Sequence, residues 1–259
     1  MIRNLLYASA LLALGGAVAT AAPAAKKPAP AKTAPYTARR VTSTVVDWTG
    51  VWGNYGSRNF DPTTDSGKPQ PNAPLTPKAK ATYDAYLVAR AAGQPTGDIG
   101  CVPEGPPRIM RSPYPHEVVV TPKETWILAE FKGESRRIYT DGRKPPADLD
   151  HTYEGYSTGH WEGDTLVFDT VGLKAGTIDS GGLAHSDQLT IHERMRRVSD
   201  EWLEDEITLT DPVVFTKPWT VTRRYQHQPT WEIKEFVCAE NERNPVGANG
   251  QTGVVLQGK

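Results

Sequence analysis

The sequence predicts an all-β fold, an antiparallel up-and-down barrel with one flanking helix. Three observations lead there. Apolar and polar residues alternate over most of the chain from residue 48 onward, the period of a half-buried strand. Turn-forming runs separate these stretches at hairpin spacing: Thr121-Pro122-Lys123, Lys132-Gly133-Glu134, Glu162-Gly163-Asp164, Ser199-Asp200 and Gln228-Pro229. Finally, Asp47-Trp48-Thr49-Gly50-Val51-Trp52 sets a glycine beside large aromatics where the first strand begins, a pairing suited to plugging one end of a barrel.

The elements follow in order. The first strand is expected over 48–55. A helix is expected over 77–92, because Thr76 can cap it, Pro77 suits its first position and Gly93 stops it. Tyr83, Tyr86, Leu87 and Arg90 share one face of that helix, which should pack on the barrel or cover an opening. Strands are then expected over 116–121, 125–131, 135–140, 154–161, 164–170, 188–198, 201–210, 218–227 and 231–238. The clearest hairpin is at 161–170, where Glu162-Gly163-Asp164 reverses the chain. Leu166 and Phe168 then share a face, with Thr165, Val167 and Asp169 on the other. Mostly short connections place sequence neighbours side by side in the sheet. The loops 141–153 and 171–187 are the exceptions, and long loops of a compact barrel sit at its mouth and carry function.

The ends read differently. Residues 1–21 have the anatomy of an export signal: Arg3, an apolar run, then Ala19-Thr20-Ala21. That run is too short for a membrane span of roughly 20 residues, and no later one approaches it. Residues 22–46 are rich in Ala, Pro and Lys and read as a disordered tether. The barrel domain spans 47–240, and 241–259 reads as a flexible tail. The expected location is outside the cytoplasm, in the periplasm.

Charge is balanced, with 29 Lys and Arg against 30 Asp and Glu. The pairs Arg136-Arg137, Arg196-Arg197 and Arg223-Arg224 each straddle two faces of a strand, so no basic stripe forms and a nucleic-acid partner is not expected. The two cysteines, Cys101 and Cys238, read as one disulfide in an exported protein, the alternative being two buried thiols. There is no Cys-x-x-Cys, phosphate loop or dinucleotide fingerprint, so no cofactor is expected. His185, Asp187 and His192 are close in sequence but lack metal-ligand spacing, so no metal is expected either. Nothing in the sequence sets the oligomeric state.

Several strings resemble one family: CVPEGPPR from Cys101 to Arg108, RRIYTDGR from Arg136 to Arg143, WEGDTLV from Trp161 to Val167, Ala184-His185-Ser186, and Asp211-Pro212 through Pro218-Trp219. The family is a large, mostly uncharacterised group of exported bacterial proteins. The likeness covers residues 100–243. It implies a calycin-like, lipocalin-type barrel and brings no activity with it. The chain departs from the family at His151 and Tyr153, where proline and tryptophan are common, and at Leu183-Ala184-His185, where a second His-Pro is common. Both departures fall on the long loops.

Alternation points to an interior polar set. Leu189, Ile191, Glu193 and Met195 share a face, as do Val221, Arg223, Tyr225 and His227, and Ile233, Glu235 and Val237. If the apolar members face inward, Glu193, Arg223, Tyr225, His227 and Glu235 do too. A Glu–Arg–Glu network there is either a structural brace or the polar end of a pocket walled by Leu128, Phe168, Leu189, Ile191 and Val221. A one-residue slip would send the whole set outward. Arg136, Tyr139 and Asp141 are further ligand-binding candidates beside the first long loop.

The second loop supplies His185 and Asp187, a base with a carboxylate to orient it, or a histidine that merely fixes the loop. Ser186 lies in no nucleophile elbow. The leading functional reading is an exported barrel that binds a small, partly apolar molecule in its interior. The rival is a cofactor-independent lyase, isomerase or hydrolase. There His185 or His227 moves a proton while Arg136 or Arg223 steadies an oxyanion. A third reading is an envelope structural or assembly protein without a ligand.

Overall fold

Among the described residues nine strands close into a barrel. They are β1 (Gly50–Tyr55), β2 (His116–Val120), β3 (Glu124–Ala129), β4 (Ser135–Tyr139), β5 (Tyr156–Glu162), β6 (Thr165–Val171), β9 (Thr190–Arg197), β10 (Trp202–Thr210) and β11 (Trp219–His227). A separate short pair, β7 (Gly176–Thr177) and β8 (Ala184–His185), forms in the second long loop. The computed structural model describes residues 36–94, 101–179 and 181–238. The export signal, most of the tether and the tail expected from the sequence lie outside these residues.

The all-β barrel expected from alternation is present. Around the ring the order is β1-β11-β10-β9-β6-β5-β4-β3-β2. One neighbouring pair, β4 with β5, is parallel, and the others are antiparallel. An odd number of strands cannot alternate direction all the way round, so one pair must run the same way. The long 140–155 connection returns the chain to the start of the barrel so that it can, since parallel neighbours need a crossover of about a dozen residues or more.

No strand forms over 231–238. The reason is closure: the free edge of β11 is already taken by β1, with Trp52 opposite His227 and Asn54 opposite Tyr225. Glu235 is therefore exposed on an irregular segment and does not belong to the interior. Leu128 also points away from the core, where Ile127 and Ala129 face in.

The base is plugged as the glycine and aromatics at its start imply. Trp48 and Trp52 are buried, and Trp52 Nε1 donates to the Trp48 carbonyl at 2.9 Å. Gly50 has φ +143°, and a Cβ there would lie 2.9 Å from His227 Nε2. Residues 36–46, expected to be tether, are instead part of this base. Val45 and Val46 are buried there because Thr42 Oγ1 and the Val45 carbonyl fold the segment into a turn.

The interior is layered. On β9 the inward residues run Ile191, Glu193, Met195; on β10, Leu209, Ile207, Asp205, Leu203; on β11, Val221, Arg223, Tyr225. Ile191, Ile207 and Val221 belong to one apolar cluster, while Met195, Leu203 and Tyr225 belong to the base cluster with Trp48 and Trp52. Glu193, Asp205 and Arg223 form a polar layer between them.

Helix α1 (Pro77–Ala91) lies over the end opposite the base. Thr76 Oγ1 caps it by accepting from Ala79 N at 3.3 Å. Thr76 N donates to the Val214 carbonyl at 2.8 Å, which pins the start of the helix to the turn after β10. Cys101 and Cys238 are bonded, with Cα atoms 5.7 Å apart, joining the segment ahead of β2 to the segment beyond β11. Among the described residues no helix is long and apolar enough to cross a membrane.

Candidate functional site

The interior polar layer is held by a buried ion pair. Arg136 and Glu193 are nearly inaccessible to solvent and meet two-pronged, with Nη1 at 2.9 Å from Oε1 and Nη2 against Oε2. Arg136 Nη2 also donates to Thr170 Oγ1 at 2.7 Å, and its guanidinium lies 5.0 Å from the Phe168 ring centre. Asp205 sits in the same layer, and neither of its carboxyl oxygens receives a donor. Burial, then the neighbouring Glu193, pushes its pKa well above the ordinary value.

Arg223 does not pair with Glu193 or Glu235. It donates instead to the carbonyls of Asn59 at 2.7 Å, Phe60 at 3.2 Å and Ser57 at 2.5 Å, and to Asn54 Oδ1 at 3.0 Å. It thus clamps the loop that follows β1. Tyr225 is buried below it, and burial raises its phenol pKa. The void beside Arg136, bounded by His116, Glu134 and Glu154, leaves no room for a water molecule.

A cavity with both apolar and polar walls lies elsewhere, at the mouth. It holds about 540 Å³ between α1, the β7–β8 hairpin and the turn at 213–214. Ala79, Leu183, Val213 and Val214 supply apolar wall, and Tyr83, Tyr86, Arg108 and His185 supply polar groups. Two carboxylates build it. Asp179 is buried and accepts from Phe60 N at 3.1 Å, Gly181 N at 2.8 Å and Gln70 Nε2, tying the 57–70 loop to the hairpin. Asp211 accepts from Ser186 N at 2.7 Å, Ser186 Oγ at 2.9 Å and Val213 N at 3.0 Å, tying β8 to the turn after β10.

His185 faces this cavity and is only 6 % exposed. Its Nδ1 lies 3.0 Å from the Ser186 carbonyl. A carbonyl only accepts, so Nδ1 carries the hydrogen and Nε2 carries the lone pair. Nε2 has no hydrogen-bond partner among the described residues. Opposite it in the hairpin stands Gly176, where a Cβ would lie 3.1 Å from Nε2. Burial lowers the His185 pKa below 6.5, against the pull of the Ser186 carbonyl and Asp211, so the ring is neutral at pH 7.

Arg108 is held by Thr177 Oγ1 and by Glu104 Oε1, the latter at 3.1 Å. Burial lowers its pKa, with Asp179 and Tyr86 opposing. Tyr83 is 6 % exposed, and its buried hydroxyl makes no hydrogen bond of ordinary geometry, although the Gln70 backbone is near. Tyr86 packs on Gly182, whose φ is +84° and whose Cβ, if present, would lie 2.0 Å from the Tyr86 ring.

The other residues singled out from the sequence fall outside the cavity. Asp187 is exposed and makes no hydrogen bond to His185; Asp211 is the carboxylate near that ring. His227 lies at the base, its ring centre 5.0 Å from that of Trp52. Tyr139 and Asp141 lie on the outer face. Tyr139 stacks on Tyr156 at 5.1 Å and carries Arg143 at 4.0 Å, while Arg143 Nε spans both Asp141 oxygens at 2.9 and 3.0 Å. Of the expected site residues, only His185 lines the mouth cavity.

Arg108 and Asp211 stood in the strings quoted for the family resemblance, but nothing in their spacing marked them as neighbours of His185. Tyr83 and Tyr86 were legible as one helix face. Asp205 was legible too, as an inward position of the strand at 201–210. The chain matches no protein-family model, no curated protein and no solved structure.

Proposed function

We propose that the protein binds a small, partly apolar molecule in the mouth cavity rather than in the barrel interior. The cavity carries this reading. Its volume of about 540 Å³ lies within the range of small-molecule sites, roughly 300–1,000 Å³, which are mostly apolar with a few convergent polar groups. His185 Nε2 offers an acceptor, Arg108 puts a guanidinium in the wall, and Lys78 adds a cation at the rim. A ligand with an acidic or carbonyl end and a compact apolar body suits that set. The disulfide fits an oxidising compartment, and with it the export read from residues 1–21 and from the family resemblance.

The probe is 8-anilinonaphthalene-1-sulfonate, an aromatic anion whose fluorescence rises in apolar sites. It should bind the native protein. Ala79→Trp, which fills the cavity from the helix side, should weaken binding at least about tenfold, or about 1.4 kcal/mol. Unchanged binding in that variant would place the probe elsewhere and remove the support for this reading.

A further inference from the structure

We infer that the mouth cavity is also an active site for proton transfer, in which His185 Nε2 removes a proton from the carbon beside the ketone of an apolar 2-oxo acid and Arg108 faces the oxyanion that forms. This rests on the binding reading above and goes beyond it.

The histidine is arranged as a base. Nδ1–H is committed to the Ser186 carbonyl at 3.0 Å, which fixes the ring and leaves the Nε2 lone pair for the cavity. Gly176 keeps that nitrogen open, because any side chain there would begin 3.1 Å from it. Ser186 and Asp211 lie near the ring, and Lys78, Tyr83, Tyr86, Arg108, Thr177 and Asp179 line the cavity with it. Burial outweighs the pull of Ser186 and Asp211 and leaves His185 neutral near pH 7, the form a base requires.

The rest of the cavity narrows the chemistry. A covalent route through Ser186 is blocked, because its hydroxyl donates to Asp211 Oδ1 at 2.9 Å and accepts from Gln188 N at 3.1 Å. What remains is a neutral base, a fixed cation and a buried phenol against an apolar wall. That set matches enolisation. The proton moves from carbon to Nε2, the C–H electron pair becomes the C=C bond, and the C=O π pair moves to oxygen beside Arg108. The imidazolium then returns its proton to that oxygen. The product is the enol, nothing is oxidised or reduced, and no co-reactant is needed. The carboxylate accounts for a second anionic group near Arg108 and Lys78, and an apolar side chain accounts for Leu183 and Val214.

Phenylpyruvate in D₂O tests this, with C3 deuterium exchange followed by NMR and binding followed by saturation transfer. The native protein should accelerate exchange. His185→Asn keeps a donor for the Ser186 carbonyl, so it should fold, and at saturating phenylpyruvate its exchange should fall about 10²–10⁴-fold. Gly176→Ala should also slow exchange. The native rate should rise with pH and level off with a midpoint below about 6.5. Exchange unchanged in His185→Asn would overturn the inference. Binding without exchange in the native protein would overturn it and leave the binding reading standing. Absence of phenylpyruvate binding would overturn it too, and the anilinonaphthalene probe would then decide the binding reading by itself.

Discussion

A guanidinium taken out of water must recover charge and hydrogen bonds, and Arg136 does so at both Nη atoms through Glu193 and Thr170, leaving Nε without a partner. Arg136→Met would strand the Glu193 carboxylate in the apolar interior. It should cost about 3–5 kcal/mol in urea unfolding, and pairing it with Glu193→Leu should restore much of that loss. Asp205→Asn should cost less by contrast, because burial and Glu193 both favour the protonated acid, which the amide resembles. Glu154 makes a pH prediction. Burial, then Glu134, raises its pKa from 4.5 to about 8. Its folded pKa lies above the unfolded one, so its stabilising contribution is full below pH 4.5 and is lost as pH rises through about 8. The melting temperature should fall between about pH 4.5 and 8 and level off above it, and Glu154→Gln should flatten that fall. Parallel slopes for the two proteins would remove Glu154 as the cause.

Helix α1 meets the hairpin closely at Gly182. Gly182 has a positive φ and leaves no space for a Cβ beneath Tyr86. Gly182→Ala should push the helix off the hairpin, lower stability by at least about 1–3 kcal/mol and weaken probe binding in the cavity. Adding Tyr86→Ala should recover the steric part and leave the backbone part, so a double-mutant cycle should show coupling between the two sites. Elements of this kind were partly legible in the sequence. Period-two alternation located the barrel strands and the inward faces of β9 and β11, because each strand has one buried side. It failed at 231–238, where the pattern continues but β1 has already taken the edge of β11. Local periodicity carries no information about which edge remains free. The same limit hid the site. His185 could be chosen as a loop histidine, but its cavity partners Arg108 and Tyr83 lie far from it in sequence and meet it only through the fold.

At the scale of the whole molecule, the bond between Cys101 and Cys238 closes the longest loop, with a separation of 137 residues. Crosslinking so long a loop removes unfolded-state entropy worth on the order of 4 kcal/mol. Cys238→Ser should therefore lower the melting temperature by several degrees, and free thiols in protein from an oxidising compartment would undo the assignment. The bond also borders the segment that ends in Arg108, so losing it tests what holds the cavity wall. Three other contacts hold that segment. Glu134 accepts from Glu104 N at 2.7 Å and Gly105 N at 2.9 Å, and Lys132 Nζ donates to the Val102 carbonyl at 2.6 Å. A Cβ at Gly105 would lie 2.0 Å from the Tyr153 carbonyl oxygen, so the segment is packed down as well as bonded. Arg108 should then stay in place without the disulfide. Cys238→Ser should bind the anilinonaphthalene probe within about threefold of the native affinity (less than about 0.7 kcal/mol) at a temperature where both are folded. Glu134→Ala, with the disulfide intact, should weaken the probe more than Cys238→Ser does. The opposite order would make the disulfide, and not the Glu134 carboxylate, the feature that positions Arg108.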